Sequence, residues 1–289
     1  MSLQPSAATV EPLEEAEALD GRQRVRLPRK FWVGAAIVAL YALLALLAPW
    51  VAPHDPDAQD VANRLADPSW KHPVGTDELG RDVLSRLVFA ARIDLTVGFL
   101  GAFLPLVVGT FLGALAGYVG RWVDVVVMRI ADVVQAFPAY ILIIALVFAL
   151  GQGAGTILVA FTATVWVIYA RIIRDEILRV RGLDYIQAAR AAGLPHTRII
   201  ARHVLPNTIS QTVVYFTVDI LFAILALAAF TFIGLGIPPP DAEWGAMIEG
   251  GKEFLRDQWW LTAAPGIVLS VLGLGFMFMG DGLDDWISR

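Results

Sequence analysis

Cysteine is absent from the 289 residues, which removes disulfide frameworks, thiolate metal sites and cysteine nucleophiles from the possible readings. There is no G-x-x-x-x-G-K-S/T phosphate loop; Gly251 and Lys252 are followed by Glu253, so the chain has no means of hydrolysing ATP by itself. Neither G-x-S-x-G nor H-E-x-x-H occurs, which argues against an intramembrane or metal-dependent hydrolase. The four histidines, His54, His72, His196 and His203, fall in segments that charge sorting assigns to both sides of the membrane, so they are not expected to assemble one metal site, and each is read as structural or solvated. Charge is scarce too. Only 17% of residues are charged while 57% are hydrophobic, a balance too apolar for a soluble domain and typical of an all-α integral membrane protein.

The few charges are sorted along the chain, and the sorting predicts topology. Residues 1–20 are rich in Ala, Pro and acids (Glu11, Glu14, Glu15, Glu17, Asp20) and cannot bury a core, so residues 1–30 are expected to form a mobile cytoplasmic tail before a transmembrane domain over 31–289. Arg22, Arg24, Arg26, Arg29 and Lys30 directly precede an uncharged run from Phe31 to Ala52, which predicts a retained first span with its N-terminus inside. Further spans are expected at about 95–119, 130–150, 156–173, 208–235 and 261–279. Acids outnumber bases in 53–92 and again in 236–260, so both segments are assigned to the outside, Lys71 and Lys252 with them. Both termini then lie in the cytosol. Val83, Leu84, Leu87, Val88 and Ala91 recur at helical spacing and predict an amphipathic helix lying on the membrane surface ahead of the second span.

Within the spans, Gly109, Gly113 and Gly117 line one helix face and predict close helix packing, more within the chain than at a dimer seam. Arg129 and Asp132 are placed to pair at i,i+3, and Pro138 predicts a kink because it removes a backbone donor. Asp219, roughly eleven residues into the fifth span, is the one acid expected near the bilayer centre. With Tyr169 on the fourth span it is a candidate for a substrate pathway; the competing reading is a packing hydrogen bond between helices.

The polar stretch from Arg171 to Asn207 interrupts two apolar segments and carries Arg171, Arg174, Arg179, Arg181, Arg190, Arg198 and Arg202 against Asp175, Glu176 and Asp184, so it faces the cytosol. Asp184 is placed to cap a helix running through Ala192, Gly193 to supply the positive φ that ends it, and Pro195 to open a second helix, His196 to Leu205. The small pair Ala188 and Ala189 leaves room for another surface.

The A-A-R-x-x-G element followed by H-V-L-P-N resembles the cytoplasmic coupling loop of ATP-binding-cassette import permeases. G-T-D-x-x-G-R-D-x-L-S-R over 75–86, F-T-F-I-G-L-G over 230–236 and the G-D-G-L-D-D ending resemble the second-permease (C-type) subunits of the dipeptide, oligopeptide and nickel branch. The resemblance covers roughly residues 30–287. It implies the type I importer permease fold with six transmembrane helices, in the plasma (inner) membrane of a prokaryote. It also implies partners: a homologous permease, two ATPase subunits that carry ATP and Mg, and an external binding protein delivering peptide or, alternatively, nickel. The residues implied at the ATPase contact are Asp184, Tyr185, Gln187, Ala188, Ala189, Arg190, Gly193 and Pro206. Two positions depart from the family pattern: Gln187 stands where a Glu is usual, removing one charge pair with the ATPase, and Leu227 stands where an acid is common. A secondary transporter would need inverted repeats and several membrane carboxylates, and neither is visible.

Overall fold

Long uncharged runs can satisfy their backbone groups in lipid only as helices, and helices are what they form. The computed structural model describes residues 27–184, 186, 193, 194, 198 and 205–287, with the side chains of 205–211 outside the description. Nine α-helices are named here: α1 (Arg29–Leu46), α2 (Ala48–Val51), α3 (Val83–Val119), α4 (Arg121–Gln135), α5 (Ala139–Leu150), α6 (Ala154–Val180), α7 (Leu205–Phe232), α8 (Trp244–Gly251) and α9 (Trp260–Ile287). Five of them, α1, α3, α6, α7 and α9, are long and apolar enough to cross a membrane.

The centre is the pair α3 and α6. The Gly109, Gly113 and Gly117 face packs directly on α6: a Cβ at Gly109 would stand 2.4 Å from the Trp166 carbonyl oxygen, and one at Gly113 2.3 Å from that of Ala170. Contact this close needs residues without side chains, and the seam lies inside the chain. A second small-residue seam joins α1 to α9, where a Cβ at Gly34 would meet the Gly275 carbonyl oxygen at 2.4 Å. Lys30 and Asp285 close the end of that pair at 2.8 Å.

Helix α3 differs from the expectation. It runs unbroken for 37 residues, so the stretch expected to lie flat on the membrane is its first turns. Val83, Leu87 and Ala91 are buried in a cluster with Trp244, Leu261 and Leu272, so their apolar stripe meets protein rather than lipid. At 1.5 Å per residue the helix rises about 55 Å against a hydrocarbon core of ~30 Å, more than a straight crossing needs.

The third expected span differs as well. α4 (15 residues) and α5 (12 residues) meet at 87°. Each alone reaches only about 18–22 Å, too short to cross straight. Pro138 has no N–H to continue α4; Ala136 bonds back to the Asp132 carbonyl, Phe137 bonds to that of Val134, and α5 starts afresh after Pro138. α4 is tied to α6 by Arg174, which grips both carboxylate oxygens of Asp124, one at 2.7 Å. Asp132 pairs with Arg171 at 2.8 Å and only loosely, at 3.7 Å, with the expected partner Arg129.

Candidate functional site

The stretch expected to couple to an ATPase leaves the end of α6. Asp184 is exposed there, and Gly193 has φ +74° with no atom of the described residues within 4 Å of an added Cβ, matching the left-handed turn read from the sequence. Between them Ile186 is fully buried against Ile173, Ile177 and Val180, with Tyr118 and Leu194 beside it. One side chain thus fastens the start of the loop to the α3–α6 core. Tyr185, Gln187, Ala188, Ala189 and Arg190 lie outside the described residues, as does the side chain of Pro206 in the first turn of α7.

The two pathway candidates, chosen separately, come together. Tyr169 on α6 is fully buried, and its hydroxyl faces the half-buried Asp219 carboxylate on α7 without reaching hydrogen-bond geometry. Asp219 is not alone among acids inside the bundle. Asp94, on α3, is fully buried; one of its oxygens accepts from the Trp244 backbone N–H at 3.2 Å and the other has no partner among the described residues. Glu243, equally buried, caps α8 by accepting from Gly245 and Ala246, both at 2.8 Å. Sequence reasoning misses this pair because it places Asp94 ahead of the second span, whereas the helix is continuous through it. The departure at Leu227 suits its surroundings: it is fully buried in an apolar cluster with Val97, Phe161 and Phe230.

At the end carrying residues 53–82, the G-T-D-x-x-G-R-D motif folds into a knot that explains its residue types. The Thr76 hydroxyl donates to the Asn63 carbonyl and accepts from Ala66 N–H. Asp77 accepts from the backbone of Leu79 and Arg81 and from Arg81 Nε at 2.6 Å. Gly80 has φ +75°, and a Cβ there would overlap the Asp60 carbonyl. Nearby, the Asn63 amide donating to Asp60 holds its carboxyl below the ordinary value. Asp82 caps α3 at Ser85, and Arg86 reaches the carbonyls of Pro56 and Pro240, joining this segment to the loop before α8. Beside the knot lies a cavity of about 400 Å³ lined by Asp77, Glu78, Arg81, Arg86, Gln152, Asp241 and Glu249 among others. His54 and His72, both in the segment assigned to the outside and read singly as structural or solvated, stack at 4.7 Å here next to Asp82.

Residues 109–289 match the family described as "Binding-protein-dependent transport system inner membrane component", and residues 22–68 match the "N-terminal TM domain of oligopeptide transport permease C". The chain is 38% identical to the dipeptide transport system permease protein of Alkalihalophilus pseudofirmus, covering 88% of this chain and 83% of that one. It is 35% identical to a putative peptide transport system permease protein of Brucella suis (97% and 95% covered), and 36% identical to the nickel transport system permease protein of Escherichia coli (87% and 91%). Among solved structures, the inward-facing MetNI methionine ABC transporter superposes with a TM-score of 0.55 at 19% identity, over 71% of this chain and 97% of that one, which supports the fold. The chain belongs to the family of binding-protein-dependent transport system inner membrane components.

Proposed function

We propose that the chain is one of two permease subunits of an ATP-driven importer and forms, with its homologue, the pathway for peptides handed over by an external binding protein. The observation that carries this reading is the match, over 97% and 88% of this chain, to permeases named for peptides and dipeptides. ATP and Mg belong to two separate ATPase subunits, since the chain has no phosphate loop. Those subunits receive the loop around Gly193 through Asp184, Tyr185, Gln187, Ala188, Ala189, Arg190, Gly193 and Pro206. The family supports a plasma-membrane placement and charge sorting supports both termini in the cytosol, so the knot at 53–82 and the adjoining cavity face outward toward the binding protein. Within the bundle, Asp219 with Tyr169 behind it is assigned to the pathway.

Alternating access follows from this arrangement. ATPase closure would push on the loop, Ile186 would pass that push to the end of α6, and the closely packed α3–α6 pair would move as one body against its counterpart in the partner permease. Outer surfaces support a need for such a partner or lipid: Phe148 on α5 is 84% exposed. The test is reconstitution of the affinity-purified complex in liposomes. Two ATPases and a second permease are expected to co-purify, and labelled dipeptide should accumulate only with ATP and the binding protein. A single-chain particle that transports unaided would overturn the reading. A second reading, nickel as cargo, is favoured by the 36% identical nickel permease, and uptake of nickel but not peptide by the same liposomes would establish it.

A further inference from the structure

We propose that His54, His72 and Asp82 form a binding site for a borderline divalent transition metal, zinc being the natural occupant, independently of the cargo the transporter carries. The three side chains come from separate places: His54 follows α2, His72 sits in the loop before the knot, and Asp82 caps α3. One nitrogen from each imidazole and one carboxylate oxygen all lie within 4.8 Å of one another. Both Nδ1 atoms face the same atom, Asp82 Oδ1, His72 at 2.8 Å and His54 at 3.7 Å. Zinc holds imidazole nitrogen and carboxylate oxygen at about 2.0–2.2 Å, so two ligands of a tetrahedral ion stand roughly 3.4 Å apart. The two observed separations straddle that value, so His72 would have to draw back from Asp82 by about 0.6 Å and His54 close by about 0.3 Å to seat an ion between them.

The surroundings hold these atoms ready. Asp82 Oδ2 is fully engaged, accepting from Ser85 N–H at 2.8 Å and from the Ser85 hydroxyl at 2.7 Å, which leaves Oδ1 turned to the imidazoles. The same hydroxyl accepts from the His54 backbone N–H at 3.0 Å, so one serine sets the position of two ligands. His72 is fixed through its backbone: its N–H donates to Ser69 Oγ, and its carbonyl accepts from Ser69 and Gly75. Hydrogen-bonded partners behind the ligands are how metal sites orient their first contacts. Without an ion, His72 Nδ1 and Asp82 Oδ1 share a hydrogen bond at 2.8 Å, but His54 Nδ1 is a buried atom with no partner among the described residues, too far from Asp82 for a hydrogen bond. The Asp82 carboxylate also stands between the ion and the positive N-terminus of α3.

Two imidazoles and one carboxylate suit zinc, nickel or copper rather than magnesium or calcium. Three protein ligands leave a fourth position for water or another small ligand. A bound ion would pin the turn after α2 to the start of α3, fastening the first span to the long one at the end assigned to the outside.

The test uses the full-length chain purified with its partner subunits on a tag free of histidine, stripped with chelator and titrated with cobalt(II), then zinc. Wild-type protein should take up a single equivalent of cobalt with the visible ligand-field absorption of four-coordinate cobalt, displaced by zinc. His54→Gln and His72→Gln should each weaken binding at least about tenfold, and Ser85→Ala about 10–100-fold through misorientation. His54→Gln is the informative variant, since its backbone, not its imidazole, bonds Ser85; co-elution with the partner subunits shows that it folds. Absence of a cobalt spectrum in wild type, uptake unchanged in both histidine variants, or an adventitious ion only, held by other groups, would each overturn the proposal.

Discussion

A methyl group added at Gly113 would stand 2.3 Å from the Ala170 carbonyl oxygen and 2.9 Å from the Ala170 Cα. Both are backbone atoms of a packed helix, so no side-chain rotation relieves the clash; α3 and α6 must separate by about 1 Å to restore a normal contact. Overpacking of this kind typically costs about 1–3 kcal/mol, which is roughly a 5- to 150-fold fall in the folded-to-unfolded ratio. Gly155 and Gly266 provide the control, because each sits in a helix with nothing within 4 Å of an added Cβ. There alanine should be neutral or stabilise by up to about 1 kcal/mol, since glycine is the poorer helix former. Denaturant titration of the purified complex, following co-elution of the subunits, separates the two classes. If Gly113→Ala unfolded at the same denaturant concentration as Gly155→Ala, the close seam between α3 and α6 would be wrong.

Gly193→Val forces a β-branched residue into φ +74° and is expected to uncouple ATP hydrolysis from uptake while leaving membrane insertion intact; wild-type coupling in the reconstituted variant would remove the loop from the ATPase contact. Single cysteines at 71 and 252 should react with an impermeant thiol reagent in intact cells and a cysteine at 190 should not, and labelling at 190 would reverse the assigned orientation. Asp219→Asn should lower uptake of cationic peptides more than of neutral ones, because an unpaired acid at such depth, costing at least roughly 2.5 kcal/mol, is kept for a partner or a watery path; equal effects on both would leave Asp219 a packing residue beside Tyr169. Arg174→Ala leaves Asp124 without its two-pronged partner at the α4–α6 contact and should lower thermal stability more than Arg129→Ala, whose ion pair is long and exposed. Equal melting temperatures for those two variants would count against the tie.

A feature of this fold is legible in the sequence when its signal is local. Spans are legible because a long uncharged run has one stable fate in lipid. The Gly193 turn is legible because only a residue without a side chain accepts that φ easily. The stripe Val83, Leu87, Ala91 reads as helical but with the wrong cover, since periodicity reports that a face is apolar and not whether lipid or Trp244 will meet it. Pro138 announces a break, yet its 87° angle comes from how α4 and α5 pack, which no single residue encodes. Asp94 with Trp244, and His54 with His72, are joined only by tertiary structure, the first pair by the packing of α8 on α3 and the second by the folded knot.

The same knot gives a physical reason for the order of its motif. Thr76, Asp77, Gly80, Arg81 and Asp82 satisfy one another's backbone and side-chain groups before α3 begins, so α3 starts from a pre-set direction. Arg86 then extends that order across to Pro240, while Trp244 fastens α8 to α3 by donating its indole N–H to the Leu87 carbonyl and its backbone N–H to Asp94. One end of α3 is therefore held by polar contacts at the face assigned to the binding protein. Its other end, with Tyr118, lies beside Ile186 and Arg181, whose guanidinium donates to the Gly117 carbonyl at 3.0 Å. A helix that is continuous for 37 residues and packed closely on α6 transmits displacement along its length with little loss, because no proline break like that between α4 and α5 separates its ends and Pro105 leaves it helical. Under the proposed coupling, a push at the loop and a change in the outer cavity are two ends of one rigid element. Loosening the Gly113 seam should therefore weaken the response of ATP hydrolysis to the loaded binding protein before it abolishes assembly.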